Sequence, residues 1–124
     1  MGRFCCGQIV LAYVDDGKGH TKERPCMILT RDADLLPGEP IQVVAITKDI
    51  GESPQPYWVH VPHAWPTHLQ TGLYRPSVAK CNWIREIEEN RIIKVLGNMT
   101  DPQFELILDC IDVLLDTADF DDWI

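Results

Sequence analysis

The chain has 124 residues, 45% of them apolar and 24% charged, with a formal net charge of −8. That length supports one ordinary hydrophobic core and is short for two, so a single domain over residues 1–124 is expected. No apolar run approaches the roughly 20 residues of a membrane-spanning helix, and no secretory pattern opens the chain, which predicts a cytoplasmic protein without membrane attachment.

Five cysteines (Cys5, Cys6, Cys26, Cys81 and Cys110) form an odd set with no Cys-x-x-Cys pair. They read as reduced thiols packed as small hydrophobes, not as a disulfide framework. Met1-Gly2 ahead of Cys5-Cys6 is not an acylation signal, because Cys6 stands where that pattern needs Ser or Thr. The acidity argues at first against a nucleic-acid partner, since phosphates are bound by Lys and Arg. It is unevenly spread. Residues 1–85 carry nine Lys/Arg against eight Asp/Glu, whereas residues 86–124 carry two against eleven. The first two thirds are therefore free to build a local cationic site.

In chain order, Gln8-Ile9-Val10-Leu11-Ala12-Tyr13-Val14 is apolar on both faces and predicts a doubly buried strand. Asp15-Asp16-Gly17-Lys18-Gly19 ends it with turn residues, and a polar loop is expected to run to Arg24-Pro25. Residues 26–30, 41–47 and 57–61 predict three further strands. Residues 77–81, 83–87 and 91–96 predict three more, broken at Asn82 and at Glu88-Glu89-Asn90. Short strands at this spacing indicate a small barrel occupying about residues 7–98. Thr100-Asp101-Pro102-Gln103 spells a helix start, and Phe104, Ile107, Leu108, Ile111, Leu114 and Leu115 recur at core-facing helical spacing. A helix over about 101–117 is expected, followed by an acidic segment over 116–124. Leu106, Cys110 and Val113 form a second apolar line, which predicts another neighbour for this helix, such as a second subunit.

Three segments carry a recognisable order. Gly7-Gln8-Ile9-Val10-Leu11-Ala12 is followed by Lys22-Glu23-Arg24-Pro25-Cys26-Met27-Ile28-Leu29-Thr30 and by Val43-Val44-Ala45-Ile46-Thr47. Ser77-Val78-Ala79-Lys80-Cys81, Ile84-Arg85-Glu86-Ile87 and Arg91-Ile92-Ile93-Lys94-Val95-Leu96-Gly97-Asn98-Met99-Thr100 continue the pattern up to the helix. Together these resemble the PemK/MazF family of toxin endoribonucleases across about residues 7–115, with a poor middle from 49 to 70. The resemblance implies a mainly β fold with one helix, a small SH3-like β-barrel closed by a C-terminal amphipathic helix. It also implies a homodimer, an antitoxin protein that occupies the RNA groove, and cleavage of single-stranded RNA with no cofactor and no metal. In that chemistry the substrate's own 2′-hydroxyl attacks, leaving a 2′,3′-cyclic phosphate and a 5′-hydroxyl.

Such a reaction must stabilise a crowded phosphorane and move two protons. A guanidinium suits the first task, because its planar fork binds two phosphate oxygens and keeps its charge. By the resemblance Arg24 is the catalytic arginine of the Arg-Pro motif and Thr47 the catalytic hydroxyl. Without it, Arg24 reads as a surface arginine and Thr47 as a β-branched strand residue. His20, four residues before Arg24, is the candidate general base, since an imidazole titrates in the useful range. Its competing reading is a solvated loop histidine. Lys18, Lys22, Lys48 and Arg85 are the candidate RNA-binding residues.

His60, His63 and His68 beside Trp58 and Trp65 have no carboxylate or cysteine at ligand spacing and do not predict a metal site. Trp58, Trp65 and Tyr74 fit base stacking no better than core packing. Two other functions compete with ribonuclease activity. One is a catalytically inactive binding module on the same barrel. The other is a gyrase poison of the CcdB type, because the sequence closes Asp122-Trp123-Ile124, near the Trp-Gly-Ile on which such proteins depend.

Overall fold

The structure, a computed structural model, describes residues 4–48, 53 and 55–116. Met1 and Gly2, the Trp123-Ile124 pair and the acidic segment beyond Asp116 lie outside the described residues. Six strands follow in order: β1 (Gln8–Asp15), β2 (Thr21–Ile28), β3 (Ile41–Lys48), β4 (Trp58–Val61), β5 (Ser77–Ile87) and β6 (Ile92–Asn98). The helix α1 (Asp101–Asp116) comes last. They form one antiparallel sheet in the order β4-β5-β3-β2-β1-β6. The mainly β architecture ending in a helix is therefore as expected. No hydrogen-bonded ladder joins the outer strands β4 and β6 among the described residues, so the sheet does not close through backbone pairing.

Alternation along the central strands supplies two cores. Ile9, Met27, Val44, Ile46, Ala79 and Cys81 face α1 and pack with Ile107 of that helix. Val10, Ala12, Val14, Cys26, Ile28 and Val43 point to the opposite side and pack with Phe4 and Ile87. This two-sided burial explains why the first strand reads as an unbroken apolar run. It also leaves two thiols inert. Burial pushes Cys26 up to about 12, and burial, reinforced by the neighbouring Cys110 thiol, raises Cys81 as well.

Two hydrogen bonds of Thr100 mark the helix start. The Thr100 hydroxyl donates to the Gln103 side-chain oxygen at 2.9 Å, and the Phe104 N–H donates to the Thr100 carbonyl at 2.9 Å. Ile107 is fully buried, and Phe104, Leu108, Ile111 and Leu114 are half-buried, so the predicted stripe does face the sheet. Leu106 and Val113 of the second line are exposed, as is Leu115 from the stripe itself.

Two differences from the sequence reading bear on function. Strand β2 begins at Thr21 and not after Pro25, so Arg24 is a strand residue paired with Ala12, not part of a loop. The segments 77–81 and 83–87 are one strand, and the expected break at Asn82 is an irregularity within it. The pairs Val44↔Ile84 and Ile46↔Ala79 enclose one residue on β3, Ala45, against four on β5, residues 80–83. Those four bulge from the ladder, and the strand bends there to pair with β4 from Ser77 to Lys80.

The connection between β4 and β5 rests on β6 at Gly97. A Cβ there would lie 2.2 Å from the Gln70 carbonyl oxygen, and the neighbouring Asn98 N–H donates to that same oxygen at 2.7 Å. Backbone meets backbone at this point, which leaves room for hydrogen alone. Within the same connection, His68 Nδ1 accepts from the N–H groups of Gln70 and Thr71, so this histidine organises a turn.

Candidate functional site

A cleft of about 410 Å³ opens beside the bulge of β5. It is lined by Asp16 and Lys18 from the β1–β2 loop, Arg24 from β2, and Lys80, Asn82, Trp83 and Arg85 from β5. Four cationic side chains thus face one carboxylate, in a protein whose net charge is −8. Pro25 helps to open it. The β2–β3 ladder begins at Cys26↔Ala45, one residue after a proline that has no N–H to offer. Ahead of that point Arg24 is paired only to β1.

Arg24 is half-buried. Its Nε is shielded from solvent and has no hydrogen-bond partner among the described residues. Its guanidinium carbon lies 4.7 Å from the centre of the Trp83 ring. The Trp83 Nε1–H donates to the Asp15 carbonyl at 3.1 Å, which ties the bulge to the end of β1. Arg85 is engaged differently. Its Nε sits 3.5 Å from an Asp15 carboxylate oxygen, and its Nη1 donates to the Ile84 carbonyl at 2.9 Å. It therefore fastens the loop as well as lining the cleft.

The β1–β2 loop is shaped by Asp16. That carboxylate accepts from the N–H groups of Lys18 at 2.7 Å and His20 at 3.2 Å, and pairs with His20 Nδ1 at 3.3 Å. Its pKa is held below the ordinary value, first by the Lys18 N–H and further by the His20 groups. Gly17 adopts a φ of +78°, and a Cβ there would meet Arg85 Nη2 at 3.0 Å. The positive φ favours a glycine at that turn.

The sequence-predicted residues are distributed unequally. Arg24, Lys18 and Arg85 meet in the cleft. Thr47 does not line it. It lies on the same sheet face as Ala45, and two steps along from the Cys26↔Ala45 pair on each strand it is the register counterpart of Arg24. Its hydroxyl donates to the Lys48 carbonyl at 3.4 Å. The His20 side chain is 79% exposed at the loop edge, beside Asp16 and outside the cleft lining. Lys22 lies exposed on the Arg24 face of β2, nearer the loop, and Lys48 is exposed at the end of β3. Asp16, Lys80, Asn82 and Trp83 were not singled out by sequence. The one signal for the last three is the interruption at Asn82, which marks a bulge instead of a strand end.

A second hollow, about 740 Å³, runs between α1 and the sheet. Its lining includes Leu29, Ile84, Leu108, Ile111 and Leu115, with Arg85 shared between it and the cleft. Among the described residues no helix is long and apolar enough to cross a membrane.

Comparison with known proteins accords with this geometry. No curated protein matches the sequence. A solved mycobacterial endoribonuclease in complex with its cognate antitoxin superposes with a TM-score of 0.69 at 18% identity, over 92% of this chain and 96% of that one. The Mycobacterium tuberculosis toxin MazF-mt6 gives 0.67 at 24% identity, over 88% of this chain and 96% of that one. A further mycobacterial endoribonuclease gives 0.67 at 16% identity, over 95% and 96%. At such identities the superpositions establish the shared fold. The family model, a PemK-like, MazF-like toxin of type II toxin–antitoxin systems, matches residues 6–115, and the chain belongs to that family.

Proposed function

We propose that the protein is a metal-independent endoribonuclease, the toxin of a type II toxin–antitoxin pair acting in the cytoplasm. It cleaves single-stranded RNA by attack of the 2′-hydroxyl on the adjacent phosphate. The observation that carries this reading is the Arg24 guanidinium, half-buried in a cationic cleft with its Nε directed at no protein acceptor. A donor kept dry and unpaired costs about 1–3 kcal/mol unless something completes it. A phosphoryl oxygen is the acceptor that suits both its geometry and its charge.

In this reading Arg24 stabilises the dianionic phosphorane as negative charge accumulates on the equatorial oxygens. Lys18, Lys80 and Arg85 hold the flanking backbone, and Lys22 and Lys48 extend the cationic track at its margins. Thr47, on the Arg24 face of the neighbouring strand, donates its hydroxyl to the scissile phosphate in exchange for its long bond to Lys48. His20 takes the proton from the 2′-hydroxyl, and as the bond from phosphorus to the 5′-oxygen breaks, that oxygen takes a proton from water and leaves as a hydroxyl. The link of His20 to Asp16, whose carboxylate lines the cleft, supports that placement. The exposed Leu106, Val113 and Leu115 and the apolar hollow beneath α1 support assembly as a homodimer, and the cationic cleft supports an acidic antitoxin segment as its inhibitor.

The test is incubation of the purified protein with a long single-stranded RNA in the presence of EDTA. Cleavage leaving 2′,3′-cyclic phosphate ends, and slowed about 10²- to 10³-fold in Arg24→Ala, is the expected result. Intact RNA at high protein excess would instead favour a binding module without activity.

A further inference from the structure

Arg24 poses a physical problem that the proposed function does not answer. Among the described residues it has no ion-pair partner, and a long side chain so placed is free to sample many rotamers, whereas transition-state stabilisation requires one attitude held to within a fraction of an ångström. A carboxylate is the usual restraint. Here it would neutralise the guanidinium and occupy the N–H groups that the phosphate needs. Arg85, in the same cleft, shows part of that cost: its Nε sits 3.5 Å from an Asp15 carboxylate oxygen and its Nη1 donates to the Ile84 carbonyl, which leaves it fewer donors for RNA.

We propose that Trp83 is a positioning residue for Arg24, its indole face orienting the guanidinium for the scissile phosphate without neutralising it. The inference rests on the ribonuclease reading of the site. A cation over an aromatic face is attracted by the ring quadrupole, and the attraction uses neither the charge nor the edge-directed N–H donors. The 4.7 Å separation falls within the range of such contacts. Trp83 is itself fixed at two points. Its Nε1–H is bonded to the Asp15 carbonyl, and its backbone belongs to the four-residue bulge of β5. The bulge thereby acquires a purpose, since it displaces residue 83 from the ladder toward the cleft. Stacked cations elsewhere, Arg75 on Tyr74 at 4.9 Å and Lys80 on Trp58 at 5.3 Å, show that the contact alone is not diagnostic. Among the described residues, only at Arg24 does it coincide with a buried, unpartnered nitrogen of the stacked cation.

The experiment is a double-mutant cycle on the full chain with a single-stranded RNA oligonucleotide containing one mapped cut. In Trp83→Leu, kcat is expected to fall about three- to thirtyfold, the span of a cation–π contact, with a smaller change in KM. Trp83→Phe, which keeps an aromatic face, recovers most of that loss. In an Arg24→Ala background, Trp83→Leu has no further effect, because the group it positions is gone. Equal losses in both backgrounds, or a Phe variant as impaired as the Leu variant, overturn the inference.

A second readout does not depend on cleavage. The Arg24 Nε–H proton resonance, displaced by the indole ring current in the wild type, moves toward its unstacked position in Trp83→Leu. An unchanged resonance also overturns the proposal. An inactive wild type refutes the ribonuclease reading itself, and is thus distinguishable from an active wild type with an additive cycle.

Discussion

Replacing Arg24 by Met separates a structural from a functional arginine, because the two roles predict opposite changes in stability. Methionine keeps an unbranched stem of similar reach and can still pack on Trp83. What disappears is a cation stacked at 4.7 Å, whose loss costs about 0.5–2 kcal/mol. What is relieved is a buried donor with no acceptor, about 1–3 kcal/mol. Crowding with Lys18, Lys80 and Arg85 in the same cleft eases as well. The balance is near zero or favourable, so unfolding free energy is expected to stay the same or rise by about 1 kcal/mol. Cleavage, in contrast, loses a preformed donor to the phosphorane and falls about 10²- to 10³-fold. Urea unfolding followed by tryptophan fluorescence measures the first quantity, and initial rates on a defined RNA measure the second. A variant destabilised by more than about 1 kcal/mol, or one that cleaves within tenfold of wild type, would refute the assignment of Arg24 as a group held ready for substrate.

Other consequences can be checked independently. Gly97→Ala forces a methyl to within 2.2 Å of the Gln70 carbonyl oxygen, so a loss of at least about 2 kcal/mol is expected in urea unfolding, and a midpoint equal to wild type would contradict the close approach. RNA affinity of an inactive variant retaining Lys18, Lys80 and Arg85 should fall with salt, with a log–log slope of about −2 for three phosphate contacts to a single strand. A salt-independent affinity would exclude the cleft as the binding surface. For Asp16, whose pKa is lowered in the folded state, the stabilising effect of the loop hydrogen bonds is fully present above the unfolded carboxyl value near 4. It fades as pH falls through the lower folded value. Carboxyl-carbon NMR should accordingly show Asp16 titrating below an ordinary aspartate, and titration at or above that range would contradict the bonding found in the loop.

The sequence by itself determined the local elements and the material of the site. Apolar runs such as Ile9–Val14 and the helical stripe from Phe104 to Leu114 depend on side-chain periodicity, a property of neighbours in the chain. The capping spelling at Thr100 located the helix start for the same reason. Arg24 and Thr47 became candidates because their segments follow a family order, and the split in charge between residues 1–85 and 86–124 already permitted a cationic site.

Tertiary structure alone decided which of these residues meet. Lys80, Asn82 and Trp83 join Arg24 only because β5 carries four residues where β3 carries one, and a bulge is a mismatch between two strands far apart in sequence. The same pairing made Asn82 a bend within a strand, where its polarity had read as an end. It also gave the two matched arginine positions different surroundings. Arg85 meets Asp15 and is fastened, while among the described residues Arg24 meets the face of Trp83 and its Nε meets no acceptor. Periodicity reports which face a residue takes. Whether a cation on that face meets a carboxylate or an aromatic ring depends on register across the sheet, which one chain segment does not encode.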